Sequence, residues 1–171
     1  DRKWRVGRIV REQLANHHDL SHFNSGESDI DSWLRNSALR ASFRDYSRTY
    51  VWHYGDGQAV AFFCLSAYAI TPEELPKKQA RGEQDVIPAF LLGKFALDIS
   101  LQGKGLSRLL IADAIFEAHK ASQVAAARYL VVNALTPDLV DLYEKFGFKR
   151  PFGPTGEKTR LCALIKDLLR K

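Results

Sequence analysis

Three groups of residues in this chain have types and spacing that could do chemistry. The first is Leu101-Gln-Gly-Lys-Gly-Leu-Ser107, set between an apolar strand-like run and a long apolar helix. Two glycines at a loop-to-helix junction let several backbone N–H groups converge on one anion, and the helix dipole favours negative charge there. With no Cβ in the way the backbone can approach closely, so the anion implied is a phosphate. An ordinary change of chain direction is the alternative. The second is Tyr143, which shares a helical face with Leu139, Leu142 and Phe146. A phenol with an ordinary pKa of ~10 keeps its proton at neutral pH and can donate to a leaving group; a core tyrosine with its hydroxyl bonded is the alternative. The third is His17, His18 and His22, which suggest a metal. No cysteine or well-spaced fourth ligand accompanies them, so no metal is expected. The pairs Gly93-Lys94 and Gly103-Lys104 lack the Gly-x-x-x-x-Gly-Lys-Ser/Thr spacing of a Walker loop.

Elements that would position these groups can be read from periodicity. Arg8–Gln13 forms a short first strand. Ser28-Asp-Ile-Asp31 reads as a capping box with Ser28 as N-cap, and Ile30, Trp33, Leu34, Ala38 and Ala41 follow at helical spacing. Ser47–Tyr54 and Gln58–Ala69 are two strands joined by the turn Gly55-Asp56-Gly57, a hairpin signal. Thr71–Pro88 holds three prolines and many charges, so it is predicted to be an exposed loop, of a length that is often functional. Phe90–Ile99 returns to strand character. The helix from Gly105 to about Gln123 is apolar on most sides and is predicted to be largely buried against a sheet. Tyr129–Ala134 reads as a central strand. Thr136-Pro137 opens a second helix that Gly147 closes, and Arg160–Ile165 is a final strand. No repeat or linker interrupts the chain, so residues 1–171 are expected to form one mixed α/β domain.

The bulk properties set the class. At 171 residues and 46% hydrophobic composition the chain can bury a core of ordinary size. No apolar run approaches the ~18–20 residues that cross a bilayer. Cys64 and Cys162 lie in apolar strand-like segments without metal-ligand spacing, which predicts buried free thiols in a reducing, cytoplasmic compartment. The chain contains no methionine, so its N-terminus is expected to be trimmed or processed, which leaves room for an upstream targeting segment. With 25 Lys and Arg against 20 Asp and Glu, the net charge of +5 favours acidic partners such as nucleic acid or cofactor phosphates. The basic residues cluster: Lys77, Lys78 and Arg81 in one loop, Arg35, Arg40 and Arg44 along one helical segment, and Lys145, Lys149 and Arg150 around a helix end. A solvated basic surface is the plain alternative.

Taken in order, these features resemble the GNAT acetyltransferase superfamily. The points of contact are the strand Leu92-Gly-Lys-Phe-Ala-Leu-Asp98, the loop Gln102-Gly-Lys-Gly-Leu-Ser107, the strand Val131-Val-Asn-Ala134, and Leu142-Tyr-Glu-Lys-Phe-Gly-Phe148. The family's loop pattern is Arg/Gln-x-x-Gly-x-Gly/Ala, from which this chain departs only by Ser107 at the last position. The segments His18-Asp-Leu-Ser-His-Phe-Asn-Ser-Gly26, Asp31-Ser-Trp-Leu34 and Ala38-Leu39 are similar to the N-terminal signature of the tRNA-acetylating toxins of toxin–antitoxin pairs.

The resemblance implies a GNAT fold, with a central twisted mixed sheet splayed to admit acetyl-CoA and flanked by helices. It implies transfer of an acetyl group to the α-amino group of an amino acid esterified to tRNA, which blocks translation. The alternative is a GNAT enzyme acting on a small amine or a protein N-terminus; a cofactor- or nucleic-acid-binding module that has lost catalysis is the rival outside enzymes. Carried over by position, the backbone of Phe95, Ala96 and Leu97 would pair with the pantetheine arm and polarise the thioester carbonyl. Gln102, Gly103, Lys104, Gly105, Leu106 and Ser107 would hold the pyrophosphate, with Arg108 adding charge, and Asn133 would border the cofactor. Tyr143 would protonate the departing CoA thiolate, while no side chain stands out as general base. Lys77, Lys78, Arg81, Arg35 and Arg40 would contact the tRNA backbone. The partners implied are a second copy of the chain and a small antitoxin, usually a ribbon-helix-helix protein.

Overall fold

The computed structural model describes residues 8–150 and 159–169. Six strands, β1 (Val10–Gln13), β2 (Arg48–His53), β3 (Ala61–Ile70), β4 (Ile87–Leu97), β5 (Tyr129–Ala134) and β6 (Thr159–Leu164), form one mixed sheet in that order. The helices are α1 (Ser28–Asn36), α2 (Ala38–Phe43), α3 (Lys77–Ala80), α4 (Leu106–Val124), α5 (Pro137–Phe146) and α6 (Ile165–Leu168). β1–β2 and β2–β3 pair antiparallel, β4–β5 parallel, and β5–β6 antiparallel. This is the mixed α/β architecture expected from the sequence.

By contact density the chain divides into two compact units. The first comprises residues 1–65 and 94–111. Its core gathers Leu14, Phe23, Leu34, Ala38, Val51 and Phe62, with Phe23 edge-on to Phe62 and Trp33 stacked on it. The second comprises residues 66–93 and 112–171. Its core gathers Ile70, Leu75, Ile87, Ala89, Tyr129, Val131 and Cys162.

Four expectations are corrected at the level of elements. Ser28 does not cap α1: the N-cap is Glu27. Asp31 does reach back, but to Ser25, whose N–H and hydroxyl donate to its carboxylate at 3.0 and 2.6 Å. The predicted helix breaks at Ser37 into α1 and α2. Thr71–Pro88 is folded rather than an open loop, with a 3₁₀ turn at Pro72–Glu74, α3, and the start of β4. The cause is visible in Thr71-x-x-Glu74: the Thr71 N–H donates to the Glu74 carboxylate at 2.7 Å, which seats Leu75 in the core. Finally, α4 buries one stripe, Leu110, Ile111, Ala114, Ile115 and Ala118, while Leu109 and Phe116 stay exposed. Its apolar content exceeds the face it buries.

Candidate active site

The glycine loop lies in the first unit and is anchored from both sides. Asp98 ends β4 by accepting the N–H and hydroxyl of Ser100 at 3.0 and 2.7 Å and the N–H of Asn24 at 3.0 Å. That caps a 3₁₀ turn over Ile99–Leu101 and turns the chain into Gln102. The Gln102 amide then donates to the carbonyls of Ser25 (2.7 Å) and Leu97 (2.9 Å). Its side chain is therefore engaged in holding the loop, and Ser25 in turn is held by Asp31. Lys104 folds back onto the Ser100 carbonyl at 2.9 Å. Gly103 and Gly105 both sit at φ 74°, where a Cβ is strained, so their conformation is what makes them glycine. A Cβ built at either meets open space, so the surface above the loop is clear. From Leu106 the chain enters the 19-residue α4, whose first turn has N–H groups with no carbonyl ahead of them in the helix. Backbone donors, a helix N-terminus and the exposed cations Lys104 and Arg108 together suit a pyrophosphate.

β4 leads into this loop. Its parallel ladder joins Ala89–Leu92 to Tyr129–Val132, and the strand then runs on to Leu97. The buried positions Ile87 and Ala89 follow a two-residue period that shifts at Leu92 and again at Leu97. Phe95, Ala96 and Leu97 thus lie beyond the last β5 partner. The Lys94 N–H donates to the Cys64 sulfur at 3.1 Å, and its ammonium sits 4.6 Å from the Trp33 ring centre.

Tyr143 and Asn133 belong to the second unit. Thr136 caps α5 by accepting the Leu139 N–H at 3.2 Å, and Gly147 closes it at φ 105°, as the sequence indicates. Tyr143 is 2% exposed, edge-on to Phe148. Burial pushes its phenol well above the ordinary value, so it holds its proton throughout the neutral range. The Asn133 carbonyl oxygen faces β6, where the Arg160 guanidinium donates to it at 3.2 Å. Arg160 also pairs with Glu74 at 3.1 Å and lies over Tyr68 at 5.3 Å. This Glu74–Arg160–Asn133 network was not read from the sequence, because its members are 27 and 86 residues apart. Cys162 is pushed up to about 11 by burial, which leaves a neutral thiol and no thiolate nucleophile at that position.

The basic residues are exposed where expected: Lys77, Lys78 and Arg81 in the second unit, Arg35, Arg40 and Arg44 in the first. Arg35 also donates to the Phe23 carbonyl at 3.0 Å. The histidines make a different structure from the one their spacing suggests. His18 and His53, with Nε2 at 2.7 and 2.6 Å, both meet one oxygen of Glu12, and His17 stands 3.5 Å from it. Ligand atoms of Glu12, His17 and His18 lie within 4.8 Å of one another. The backbone decides the chemistry here. The Ala15 N–H donates to Nδ1 of His18 at 2.9 Å, and the Gly55 and Gly57 N–H groups to Nδ1 of His53 at 3.0 and 3.3 Å. A neutral ring that accepts at Nδ1 carries its proton on Nε2. Metal-bound histidines have the opposite arrangement, with a bare nitrogen on the metal and an N–H given to a second-shell acceptor. The donor set fits a carboxylate held by two ring N–H groups.

The chain is similar to known proteins along most of its length. Residues 83–164 match the acetyltransferase (GNAT) domain family. The chain is 31% identical over 161 residues to a tRNA-acetylating toxin of Mycobacterium tuberculosis, covering 94% of this chain and 95% of that one. It is 27% identical over 152 residues to a probable toxin TacT of Sinorhizobium fredii, covering 83% and 84%. Among solved structures, AtaT complexed with acetyl-methionyl-tRNA aligns with a TM-score of 0.83 and 26% identity over 94% of this chain and 96% of that one. AtaTR bound with acetyl-CoA aligns with a TM-score of 0.80 and 25% identity over 95% and 97%.

Proposed function

Because the chain belongs to the GNAT acetyltransferase family, we propose that it is an acetyl-CoA-dependent enzyme that acetylates the α-amino group of aminoacyl-tRNA. In this reading residues 1–171 act as one catalytic domain, the toxin of a toxin–antitoxin pair. The observation that carries the reading is the likeness to a tRNA-acetylating toxin along nearly the whole chain, not the cofactor loop alone. Charged tRNA is a cytoplasmic substrate, so the reading makes the protein cytoplasmic. It works as a homodimer and is held by an antitoxin of the ribbon-helix-helix type.

The amine nitrogen attacks the thioester carbonyl carbon, the N–C bond forms, the C–S bond breaks, and one proton passes from nitrogen to sulfur. The residues supply positions for each event. Gln102–Ser107 and Arg108 hold the pyrophosphate through backbone N–H groups and positive charge. The backbone of Phe95, Ala96 and Leu97 aligns the pantetheine arm and donates to the carbonyl oxygen as it gains charge. Asn133 borders the cofactor, with its amide turned by Arg160.

Tyr143 is the proton donor to sulfur. A thiol titrates near ~8.5, below the raised phenol, so outright transfer from Tyr143 alone runs uphill. Tyr143 therefore acts as a relay that gives its proton to sulfur as it regains one from the amine nitrogen, which turns cationic once its bond to the carbonyl carbon has formed, directly or through water. Direct transfer to the amine, with no acyl-cysteine intermediate, suits Cys162, which is a neutral buried thiol. No step calls on a metal. Lys77, Lys78, Arg81, Arg35 and Arg40 meet the tRNA phosphates.

The test is transfer of labelled acetyl from acetyl-CoA to a mixed pool of charged tRNA, with uncharged tRNA as control. Label on charged tRNA alone, released together with the amino acid, is the expected outcome. Label on free amines or on a protein N-terminus, with none on tRNA, would replace the acceptor while keeping the family chemistry.

A further inference from the structure

Phe43 and Tyr46, at the C-terminal end of α2, are 68% and 67% exposed. Two large aromatic rings left open three residues apart are a feature that packing does not require. The turn that displays them is firmly built. The Tyr46 N–H donates to the Ala41 carbonyl at 2.9 Å and the Asp45 N–H to the Ser42 carbonyl at 3.1 Å, the helix-closing pair that normally takes glycine at its left-handed position. Here that position is Asp45, at φ 62°, the one non-glycine residue with positive φ among the described residues. Arg48 fixes it, with one arm on the Asp45 carboxylate at 2.7 Å and the other on the Ser42 carbonyl at 2.8 Å. Aspartate adopts this conformation at little cost, so what calls for a use is the pair of rings that a firmly built turn holds in solvent.

The surroundings say what the rings are for. Arg40 lies one helical turn from Phe43 and Arg44, and all three are exposed. The Arg44 guanidinium stands 5.4 Å from the Tyr46 ring centre. Flat apolar faces beside guanidinium groups are the chemistry that holds unpaired bases, by stacking on the rings and charge on the phosphates. A duplex hides its base faces everywhere but at its two ends, so it has little to lay on these rings.

We propose that Phe43 and Tyr46, with Arg40 and Arg44, form a stacking platform for unpaired nucleotides of the RNA substrate. The identity of that RNA rests on the aminoacyl-tRNA reading; the platform's chemistry does not. A second copy of the chain is the other occupant an apolar patch invites. A two-fold contact, however, would set this basic patch against another copy of itself and bring the arginines of both copies into one interface.

The test measures binding of a short labelled single-stranded RNA and of the blunt duplex of the same sequence. The chains compared are the intact protein and the pairs Phe43→Ala/Tyr46→Ala, Phe43→Leu/Tyr46→Leu and Phe43→Trp/Tyr46→Trp. The alanine and leucine pairs should each lose about 10- to 100-fold in affinity for the single strand with an unchanged salt slope, and the tryptophan pair should restore it. Duplex binding should not move. Since both rings are exposed, circular dichroism of the variants should match the intact chain. Equal single-strand binding by the alanine pair overturns the platform, and so does failure of the intact chain to bind single-stranded RNA. A fall from dimer to monomer in the alanine pair also overturns it, in favour of a second copy. In acetyl transfer to charged tRNA the alanine pair should raise KM and keep kcat. Transfer by the intact chain with the same KM in the variant sinks the platform alone. No transfer by the intact chain sinks the tRNA reading, while single-strand binding still decides the platform.

Discussion

Two regions of the first unit invite a chemical reading, and they are built in opposite ways. Around Glu12, titratable side chains gather at hydrogen-bonding distance, as in an active site or a metal centre. At Gln102–Ser107 no side chain stands out: one glutamine is turned to hold backbone carbonyls, one lysine is folded onto another, and the rest are small or apolar. Yet the buried rings of the first region already have their partners. His18 and His53 accept a backbone N–H on one ring nitrogen and donate from the other. The second region ends in helix N–H groups and two glycines over open space. Clustered side chains whose ring nitrogens are matched on both sides read as structure, whereas plain backbone with helix-end donors over open space reads as a site. Predictions that perturb the two regions, and the residues proposed to work with the loop, can sharpen that contrast or break it.

The largest effect should come from Tyr143→Phe, which removes one oxygen from the proposed proton path. Turnover should fall about 10²–10³-fold with acetyl-CoA affinity kept, measured by steady-state transfer and by calorimetric binding. Unchanged turnover would make Tyr143 a packing residue and leave the loop as a binding site without its partner. Next is charge reversal at Lys77, Lys78 and Arg81. Replacing all three by glutamate should weaken transfer to tRNA about 10–100-fold at moderate salt, flatten the salt dependence, and leave acetyl-CoA binding alone. Identical tRNA kinetics in that variant would reduce these cations to a solvated surface.

Smaller still is Gly105→Ala. At φ 74° the added Cβ costs about 1–2 kcal/mol of local strain, and no atom stands in its way. Affinity for acetyl-CoA should drop about tenfold while kcat at saturation is retained. If the alanine chain binds acetyl-CoA as tightly as before, the cradle is not made by this backbone.

How much of this was legible beforehand follows from what each feature depends on. The loop, the caps at Thr136 and Gly147, and the hairpin around Gly55-Asp56-Gly57 are local: residue type and spacing over a few positions decide them. The family motifs placed Tyr143 and Asn133 on their elements for the same reason. What could not be read is pairing across the chain. Arg160 meets Glu74 across 86 residues, and Gln102 meets Ser25 across 77. Ser28 with Asp31 three residues on has the spacing of a capping box, but Ser25 holds the buried Asp31 carboxylate instead. The fold in Thr71–Pro88 was legible and missed, since Thr71-x-x-Glu74 is itself a capping box. His53 was missed in the histidine group because only the β1–β2 pairing, Val10 opposite His53, brings it near Glu12.

The smallest effect on activity, and the one that tests the contrast most directly, concerns Glu12. Its carboxyl is lowered from 4.5 to about 2, first by the His18 hydrogen bond and then by that of His53. A carboxylate whose folded pKa lies below its unfolded value binds fewer protons in the native state than in the unfolded one between those values. Its contribution is therefore present above about 4.5 and is lost as pH falls towards about 2. Thermal melting of the intact chain should fall more steeply through that window than melting of Glu12→Gln, which cannot titrate there. At neutral pH the variant should still transfer acetyl within about twofold of the intact chain, as expected of a residue outside the reaction. Adding zinc should leave the melting temperature of both chains unchanged, because the ring nitrogens that face Glu12 carry protons held there by the backbone on the far side. A zinc-dependent rise that disappears in Glu12→Gln would mean the rings can exchange tautomers at little cost. The cluster would then be a metal site after all, and matched hydrogen bonds would no longer separate structure from function in this molecule.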